Sequence, residues 1–344
     1  MVKRVKDDYL ESYGGLTQYS CYLREAFKGQ EALGVRPCVG HSFELLESLF
    51  LIEERLRLLE RDKSESLNVN MYRDVLNIRG SNHLLKEFFP LSTFSPYVEL
   101  FFQKTGEMQS SQKLEILKAL QLALTEQEFK KSVLKMRNTD REKQAQLSRY
   151  IYSLFAYSPS LLVIDLDLSY AEEWNYNQPL KVDTGSTEDT VQVKESTRTQ
   201  RIEKVQNERN ELITQLKKKY KKDLVGYIWK LDYSTEKNFY YNMVFFLNGQ
   251  KHQNDIEIAE VMGKLWTSIT ETTGIYFNKN LHKYHGVGLI QHNELQKRKS
   301  LQKNALYLVK TDYFIKMKIK TESGNKLHTF DRGQVLKRIQ SKRS

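Results

Sequence analysis

At Ser160 the spacing of apolar residues changes from helical to strand-like, and the order of elements beyond it constrains the fold most. The run LLVIDLDLSY predicts a first strand, and after a long polar connection a charged helix is predicted from about 195 to 222. LVGYIWKLDY and FYYNMVFFL, joined by the turn STEKN, predict a β-hairpin. A helix near 255–270, a strand at GVGLIQ and a last helix complete the order β-α-β-β-α-β-α.

This order is typical of the split-βαβ, ferredoxin-like arrangement, in which two helices cover one face of an antiparallel sheet and the other face stays open. Residues 1–158 instead show apolar residues at helical spacing, with one helix predicted from Lys113 to about Met136. We therefore predict an α+β protein with an α-helical domain at 1–158. A ferredoxin-like βαββαβ domain with an added C-terminal helix follows at 159–332, and then a basic tail at 333–344.

The 344 residues include 54 Lys and Arg against 43 Asp and Glu, which gives a formal net charge of +11. This balance favours a polyanionic partner such as nucleic acid, although a solvated helix face carries the same kind of charge run. Cys21 and Cys38 form no CxxC pair, so neither a disulfide framework nor a structural zinc site is indicated. No stretch approaches the roughly 18 apolar residues of a membrane helix, so we expect a cytoplasmic protein without a membrane partner.

The second strand of the hairpin carries polar residues on one side. Side chains alternate across a strand, so Tyr240 and Asn242 are predicted to lie on the open face while the more apolar alternate residues face the helices. Asp232 on the neighbouring strand is placed to join them, as are Asp165 and Asp167 on the first strand. Carboxylate and amide oxygens suit Mg²⁺ or Mn²⁺. In the alternative interpretation, Asp165 and Asp167 are plain strand-edge carboxylates.

Tyr307 and Lys310 lie three residues apart in the last predicted helix and therefore share a face. That spacing suits a tyrosine that attacks a DNA phosphate with an ammonium group beside it. The spacing alone is a weak signal, and a half-buried tyrosine and a solvated lysine are the alternatives. Tyr313 is a second candidate nucleophile, but six residues place it about 120° around the helix, which favours packing.

Several motifs occur in order between about 160 and 332: LLVIDLDLSY, DLVGYIWKLDY, FYYNMVFFLNG, IAEVMGKLWTSIT, GVGLI, ALYLVKTDYF and HTFDRGQ. Together they resemble the inovirus (filamentous phage) gene II replication initiators and the related YagK/YfjJ C-terminal domain of prophage proteins. The resemblance implies a rolling-circle replication initiator of the HUH endonuclease, or Rep, type. Such a protein nicks one strand at an origin, forms a 5′-phosphotyrosine and frees a 3′-OH primer. Origin DNA is then the expected partner, a host helicase a candidate second partner, and no small-molecule cofactor is expected.

The sequence departs from this family pattern at its metal motif. Where the family carries a His-x-His pair, this chain has Tyr240, Tyr241 and Asn242, so both metal-binding imidazoles are missing. Asp232 stands where relatives tend to carry an acid and is the best remaining ligand. We therefore expect either a weaker Mg²⁺ or Mn²⁺ site at Asp232, Asn242 and Tyr240, or loss of nicking.

Other residues have a functional and a plain interpretation. His282 and His285 are candidates to replace the missing imidazoles, although histidines in a polar loop are usually exposed. The lysine-rich helix end at 217–222 either binds DNA phosphates or is a solvated surface. Trp229 and Trp266 have apolar neighbours, which favours core packing over base stacking.

The sequence is compatible with three functions. The first is the nicking initiator, which if active is a metal-dependent, site-specific single-strand DNA endonuclease acting in a bacterial host cell. The second is a catalytically inactive DNA-binding or regulatory relative that has lost the metal-binding histidines. The third is an RNA-binding module that stacks bases on the open face of the sheet.

Overall fold

The computed structural model is a mixed α and β protein with antiparallel sheets, which confirms the predicted mixture of helices and strands. Among the described helices, none combines the length and the apolar character needed to span a lipid bilayer. The structure describes residues 42–64, 66–78, 85–86, 88–107, 112–171, 187–234, 238–282, 286–319 and 327–334. Residues 1–41 of the predicted helical domain and 335–344 of the predicted tail lie outside these ranges.

The α-helices are α1 (Ser42–Arg61), α2 (Arg73–Asn77), α3 (Pro96–Glu107), α4 (Lys113–Thr125), α5 (Gln127–Tyr157), α6 (Thr187–Tyr220), α7 (Asp255–Ile269) and α8 (Leu295–Phe314). The strands are β1 (Ser92–Phe94), β2 (Ser160–Tyr170), β3 (Leu224–Ser234), β4 (Asn238–Asn248), β5 (Gly274–Asn278), β6 (Gly288–Gln291), β7 (Ile315–Met317) and β8 (Phe330–Arg332). Short 3₁₀ helices span Val69–Tyr72, Lys221–Asp223 and Lys279–His282.

The chain divides into two compact units. The described part of the first unit lies within 42–144 and Val309–Met317. The described part of the second lies within Ala145–Leu308 and 318–334. Helices α5 and α8 each contribute residues to both units.

The first unit has its own apolar core. Leu49, Ile52 and Leu56 recur at helical spacing on α1 and are buried against side chains of α3 and α4. Strands β1 and β7 form a small antiparallel sheet beside them. The prediction of a single helix at 113–136 is wrong, because two helices occupy these residues. Glu126 adopts an extended backbone (ψ 139°) and ends α4 before α5 begins.

A buried hydrogen-bond network joins Tyr313 to α1 inside this core. The Tyr313 hydroxyl donates to Glu53 Oε1 (2.5 Å) and accepts from Arg57 Nη2 (2.7 Å). Arg57 also forms an ion pair with Glu53, and Ser95 Oγ donates to the other carboxylate oxygen at 2.8 Å. Tyr313 is 1% exposed, so the packing role predicted from its position on the helix is confirmed.

The Tyr313→Phe substitution should lower the free energy of unfolding of the first unit by about 1–3 kcal/mol. The ring still fills its space, but the buried Glu53 and Arg57 lose a hydrogen-bond partner. Urea unfolding followed by circular dichroism measures the change. Tyr152→Phe, at a side chain that is 69% exposed, is the control and should stay within about 0.5 kcal/mol of the wild type. Equal midpoints for the two variants would contradict a stabilising role for the network.

The second unit contains a six-stranded sheet in the order β5-β2-β4-β3-β8, with β6 also paired to β2. Every pairing is antiparallel. Because β4 occupies one edge of β2, β5 and β6 share the other edge: β6 pairs with its first half and β5 with its second half. The elements follow the predicted order of strand, helix, hairpin and helix, but an unpredicted strand, β5, precedes the predicted strand at GVGLIQ, which is β6.

Helices α6 and α7 pack on one face of this sheet. The Tyr241 ring lies edge-on to Trp229 and Trp266, and its hydroxyl donates to the Val205 carbonyl on α6 at 3.3 Å. Trp229 and Trp266 are both buried, so their predicted core role is confirmed. The N-terminus of α7 is capped by Asn254, whose side chain accepts from the backbone N–H of Glu257 at 3.2 Å.

A helix covers part of the opposite face of the sheet. The expectation that this face stays open is therefore wrong. A Cβ placed on Gly226 would lie 2.5 Å from the Tyr150 hydroxyl and 2.8 Å from Leu154 Cδ2, both on α5. Gly226 pairs with Phe246, and residues of that alternation point away from α6 and α7. The apolar stripe of α5 therefore covers this face at β3, because a helix buries its apolar side against the nearest apolar surface.

Candidate site on the polar face of the sheet

The sheet face opposite α7 carries a group of polar side chains, which we call the polar face. In the register, Asp167 lies opposite Asn242, which lies opposite Lys230, and Asp232 lies opposite Tyr240. Directly opposed residues place their Cβ atoms about 4.5–5.5 Å apart. The structure thus brings together Tyr240, Asn242 and Asp232 on the predicted side of the sheet, and Asp165 and Asp167 lie on that same side.

Lys279 supplies a positive charge between the two aspartates of β2. Its Nζ lies 3.0 Å from Asp165 Oδ1 and 2.5 Å from Asp167 Oδ1. Asp165, Asp167 and Lys279 are only 6%, 4% and 6% exposed, so all three groups are buried. The interpretation of Asp165 and Asp167 as strand-edge carboxylates is therefore wrong: they sit inside the sheet and hold a cation of the chain itself.

Asn280 fixes the segment that carries this lysine. It lies in the gap between β5 and β6 along β2, where its Oδ1 accepts from the backbone N–H of Asp165 and its Nδ2 donates to the Val163 carbonyl, each at 2.8 Å. The same Nδ2 donates to Asp255 on α7 at 2.9 Å. The side-chain amide thus satisfies backbone groups that a continuous neighbouring strand would pair, and it places Lys279 beside the aspartates.

The predicted metal ligands supply a sparse donor set. Asp232 is the single carboxylate among them, and Lys230 Nζ lies 3.2 Å from its Oδ2. Within the described residues, no cluster of three or more His, Cys, Asp or Glu side chains is arranged to hold a metal ion. One carboxylate, one amide and one phenol suit a hard ion that keeps most of its waters, and they do not suit a tightly held one. The side chains of His282 and His285 lie outside the described part of the chain.

Tyr307 and Lys310 are both half-buried residues of α8, and the boundary between the two units falls between them. The loop that leads into β6 meets this helix at Gly286, whose φ is +104°. A Cβ there would lie 2.6 Å from Asn304 Nδ2 and 2.7 Å from the Leu301 backbone nitrogen. The helix turn before Tyr307 is thus packed against the connection that begins with Lys279 and Asn280. A short distance between the Tyr307 hydroxyl and the polar face stays a prediction.

Replacing Gly286 by alanine should destabilise the second unit by roughly 2–3 kcal/mol, because the added methyl group meets helix backbone at a positive φ. Thermal unfolding of the purified variant measures the loss. Gly106→Ala is the matched control, since a Cβ at this helical position has nothing within 4 Å. It should raise stability slightly, by about 0.5–1 kcal/mol. If Gly286→Ala has the same melting temperature as the wild type, the inferred close contact between α8 and this loop is wrong.

Other tyrosines near the sheet are poor candidates for a nucleophile. Burial raises the pKa of Tyr241 and of Tyr150 above the ordinary range for a phenol. Burial, together with a hydrogen bond to Glu260, raises the pKa of Tyr276 to about 12. A raised pKa makes the phenolate scarce at neutral pH, so these three hydroxyls are suited to packing and hydrogen bonding rather than to attack.

The lysine-rich end of α6 is exposed, as both of its interpretations require. Lys217 Nζ lies 5.4 Å from the centroid of the Tyr227 ring, and Lys219 Nζ lies 6.0 Å from that of Tyr220. Contact of these lysines with DNA phosphates stays a prediction.

A helix-backed antiparallel sheet with buried ion pairs on its other face defines a mixed α and β domain whose candidate site lies on the sheet. The model of the YagK/YfjJ C-terminal domain family matches residues 124–332, which is more than half of the chain. The protein belongs to this family, and that part of the resemblance is confirmed. Searches of curated proteins and of solved structures found no match.

Proposed function

We propose that this protein is a rolling-circle replication initiator of the HUH type, which binds single-stranded origin DNA in the bacterial cytoplasm and nicks it through Tyr307. The single observation that supports this most is the polar face, which gathers carboxylates, an amide and two lysines on one side of an antiparallel sheet. The strand order β5-β2-β4-β3 and the element order also favour a ferredoxin-like βαββαβ sheet.

In the proposed reaction Tyr307 loses its phenolic proton to solvent, its oxygen forms a bond to phosphorus, and the bond from phosphorus to the 3′ oxygen of the preceding nucleotide breaks. The 3′ oxygen leaves and takes up a proton, which gives a free 3′-OH and a 5′-phosphotyrosine. Lys310, one helical turn from Tyr307, steadies the phosphate by its positive charge. The packing of α8 beside Gly286 supports a position of Tyr307 near the sheet.

The charges on the polar face bear on the metal requirement. Its described side chains include the carboxylates of Asp165, Asp167 and Asp232 and the ammonium groups of Lys230 and Lys279, which leaves one negative charge in excess. A scissile phosphate would add to that excess. A Mg²⁺ or Mn²⁺ ion held by Asp232, Asn242 and Tyr240 together with the DNA phosphate would offset it and polarise the phosphorus–oxygen bonds.

In a second candidate function the protein binds origin DNA but does not cleave it. The Lys230 ammonium group already lies against Asp232, the carboxylate that a metal would use, and Lys279 already neutralises the neighbouring Asp165 and Asp167. A family member in which lysines have taken over that role would bind origin DNA as a regulatory protein without cutting it. Both functions place DNA at the same unit of the protein.

The test combines binding and cleavage in one assay. Single-stranded 40-mers that tile the DNA flanking the gene, and supercoiled plasmid with the same DNA, are incubated with the protein and Mn²⁺, Mg²⁺ or EDTA. Denaturing gels should show a nick and a protein-linked 5′ end with Mn²⁺ and none with EDTA. Binding without cleavage under both ions supports the regulatory function. Preferential binding of RNA at equal salt supports the third alternative, an RNA-binding module.

A further inference from the structure

A cleft of about 550 Å³ lies between α5 and α8 in the second unit. One side of α5 contributes Arg149 and Tyr152, and one side of α8 contributes Arg298 and Lys299. Among the described residues that line the cleft there is no Asp or Glu. A cleft lined by three cations and no carboxylate suits an anionic ligand.

The aromatic side chain of the cleft is unusually accessible. Tyr152 is 69% exposed, whereas most other large aromatic residues of the unit are buried. An exposed aromatic ring beside cations is the combination that binds single-stranded nucleic acid, because every base has a face to stack and every nucleotide carries a phosphate. Duplex DNA hides its base faces and would leave the ring unused.

One of the cations is held in a fixed position. The Arg298 guanidinium lies 4.8 Å from the centroid of the Phe155 ring, and its Nη1 donates to the His292 carbonyl at 2.7 Å. Across the cleft, Gln302 Nε2 donates to Ser148 Oγ at 3.1 Å and so joins α8 to α5. The walls and one charge of the cleft are therefore ordered before any ligand arrives, which lowers the entropic cost of binding.

We infer that the cleft between α5 and α8 binds single-stranded DNA, with Arg149, Arg298 and Lys299 on its phosphates and Tyr152 stacked on a base. The cleft is separate from the polar face, because none of its lining residues belongs to that group. It is a strand-holding surface that leads DNA along α8, the helix that carries Tyr307. The inference rests on the proposed binding of DNA, but it does not depend on nicking.

The experiment measures fluorescence anisotropy of a labelled, mixed-sequence single-stranded 30-mer, in the Tyr307→Phe background so that covalent capture does not contribute. Arg149→Glu and Lys299→Glu should each weaken binding about tenfold at 100 mM NaCl and reduce the slope of log K against log salt by about 0.7 or more. Tyr152→Ala should weaken binding about tenfold through lost stacking. Arg298 is left unchanged because it also packs on Phe155.

The controls match charge and exposure. Lys264→Glu makes the same charge change at an exposed position on α7, and Leu122→Ala truncates another side chain that is 69% exposed. Both should bind within twofold of the parent. Cleft variants that bind as tightly as these controls would overturn the inference while leaving DNA binding intact, whereas a parent that binds no DNA would overturn the proposed function. The inference about the cleft would also be overturned if duplex bound as tightly as single-stranded DNA and Tyr152→Ala left the affinity unchanged. A tenfold preference for RNA over DNA would overturn it as well.

Discussion

Tyr307→Phe is expected to abolish the covalent protein–DNA complex, with the rate of its formation falling at least about 1,000-fold, or about 4 kcal/mol of activation free energy. The phenol oxygen is the atom that bonds to phosphorus, and phenylalanine removes it while keeping the ring that packs in α8. The complex is measured on denaturing gels with single-stranded origin DNA and Mn²⁺. Equilibrium binding of the same DNA should stay within about twofold, because the substitution changes no charge.

The matched control for this substitution is Tyr313→Phe, on the same helix. Tyr313 is bonded to Glu53 and Arg57 in the buried network of the first unit, so its loss should cost stability without removing the complex. Assays at a temperature where unfolding curves show both variants to be fully folded separate the two effects. A complex that persists in Tyr307→Phe would mean that another group is the nucleophile, and the proposed role of Tyr307 would be wrong.

Lys279→Met should lower the free energy of unfolding of the second unit by about 3–5 kcal/mol. Methionine keeps much of the length of the side chain, but the buried carboxylates of Asp165 and Asp167 lose the ammonium group that lies 3.0 and 2.5 Å from them. Two uncompensated carboxylates inside a sheet are costly because both are buried. Guanidinium unfolding, followed by tryptophan fluorescence of Trp229 and Trp266, reports this unit.

A double substitution separates charge from packing in this group. Asp167→Asn, added to Lys279→Met, removes one of the uncompensated charges and should recover about half of the lost stability. Lys264→Met, at an exposed lysine of α7, should change stability by no more than about 0.5 kcal/mol. A Lys279→Met protein within about 1 kcal/mol of the wild type would show that the ammonium group does not stabilise the aspartates.

Alternation along β4 predicted the two faces of the sheet correctly. A strand with helices on one side buries its more apolar side chains there. The two-residue alternation by itself therefore assigns Tyr240 and Asn242 to the other side. The covering of that other side was missed, because Tyr150 and Leu154 belong to a helix that precedes the first strand. Nothing in the pattern of α5 indicates which sheet its apolar stripe will meet.

Lys279 could not be predicted as the partner of Asp165 and Asp167. It is 114 and 112 residues away in sequence, and the strand β5 that leads to it was not predicted. Its position depends on β5 and β6 sharing one edge of β2, which is a matter of tertiary pairing. The break at Glu126 was missed for a related reason: no Gly or Pro marks it, so packing rather than local preference decides where α4 ends.

The side-chain amide of Asn280 lies between β5 and β6 at the edge of β2. Its position limits where relatives of this protein can differ in length. Residues inserted after Asn280 would enlarge only the connection toward β6. A single residue inserted within β5 would shift the alternation of side chains by one position, so that Lys279 would point toward the helix-covered face. Asp165 and Asp167 would then have no counter-charge. We therefore expect insertions and deletions among homologues to accumulate on one side of this asparagine and to be rare on the other.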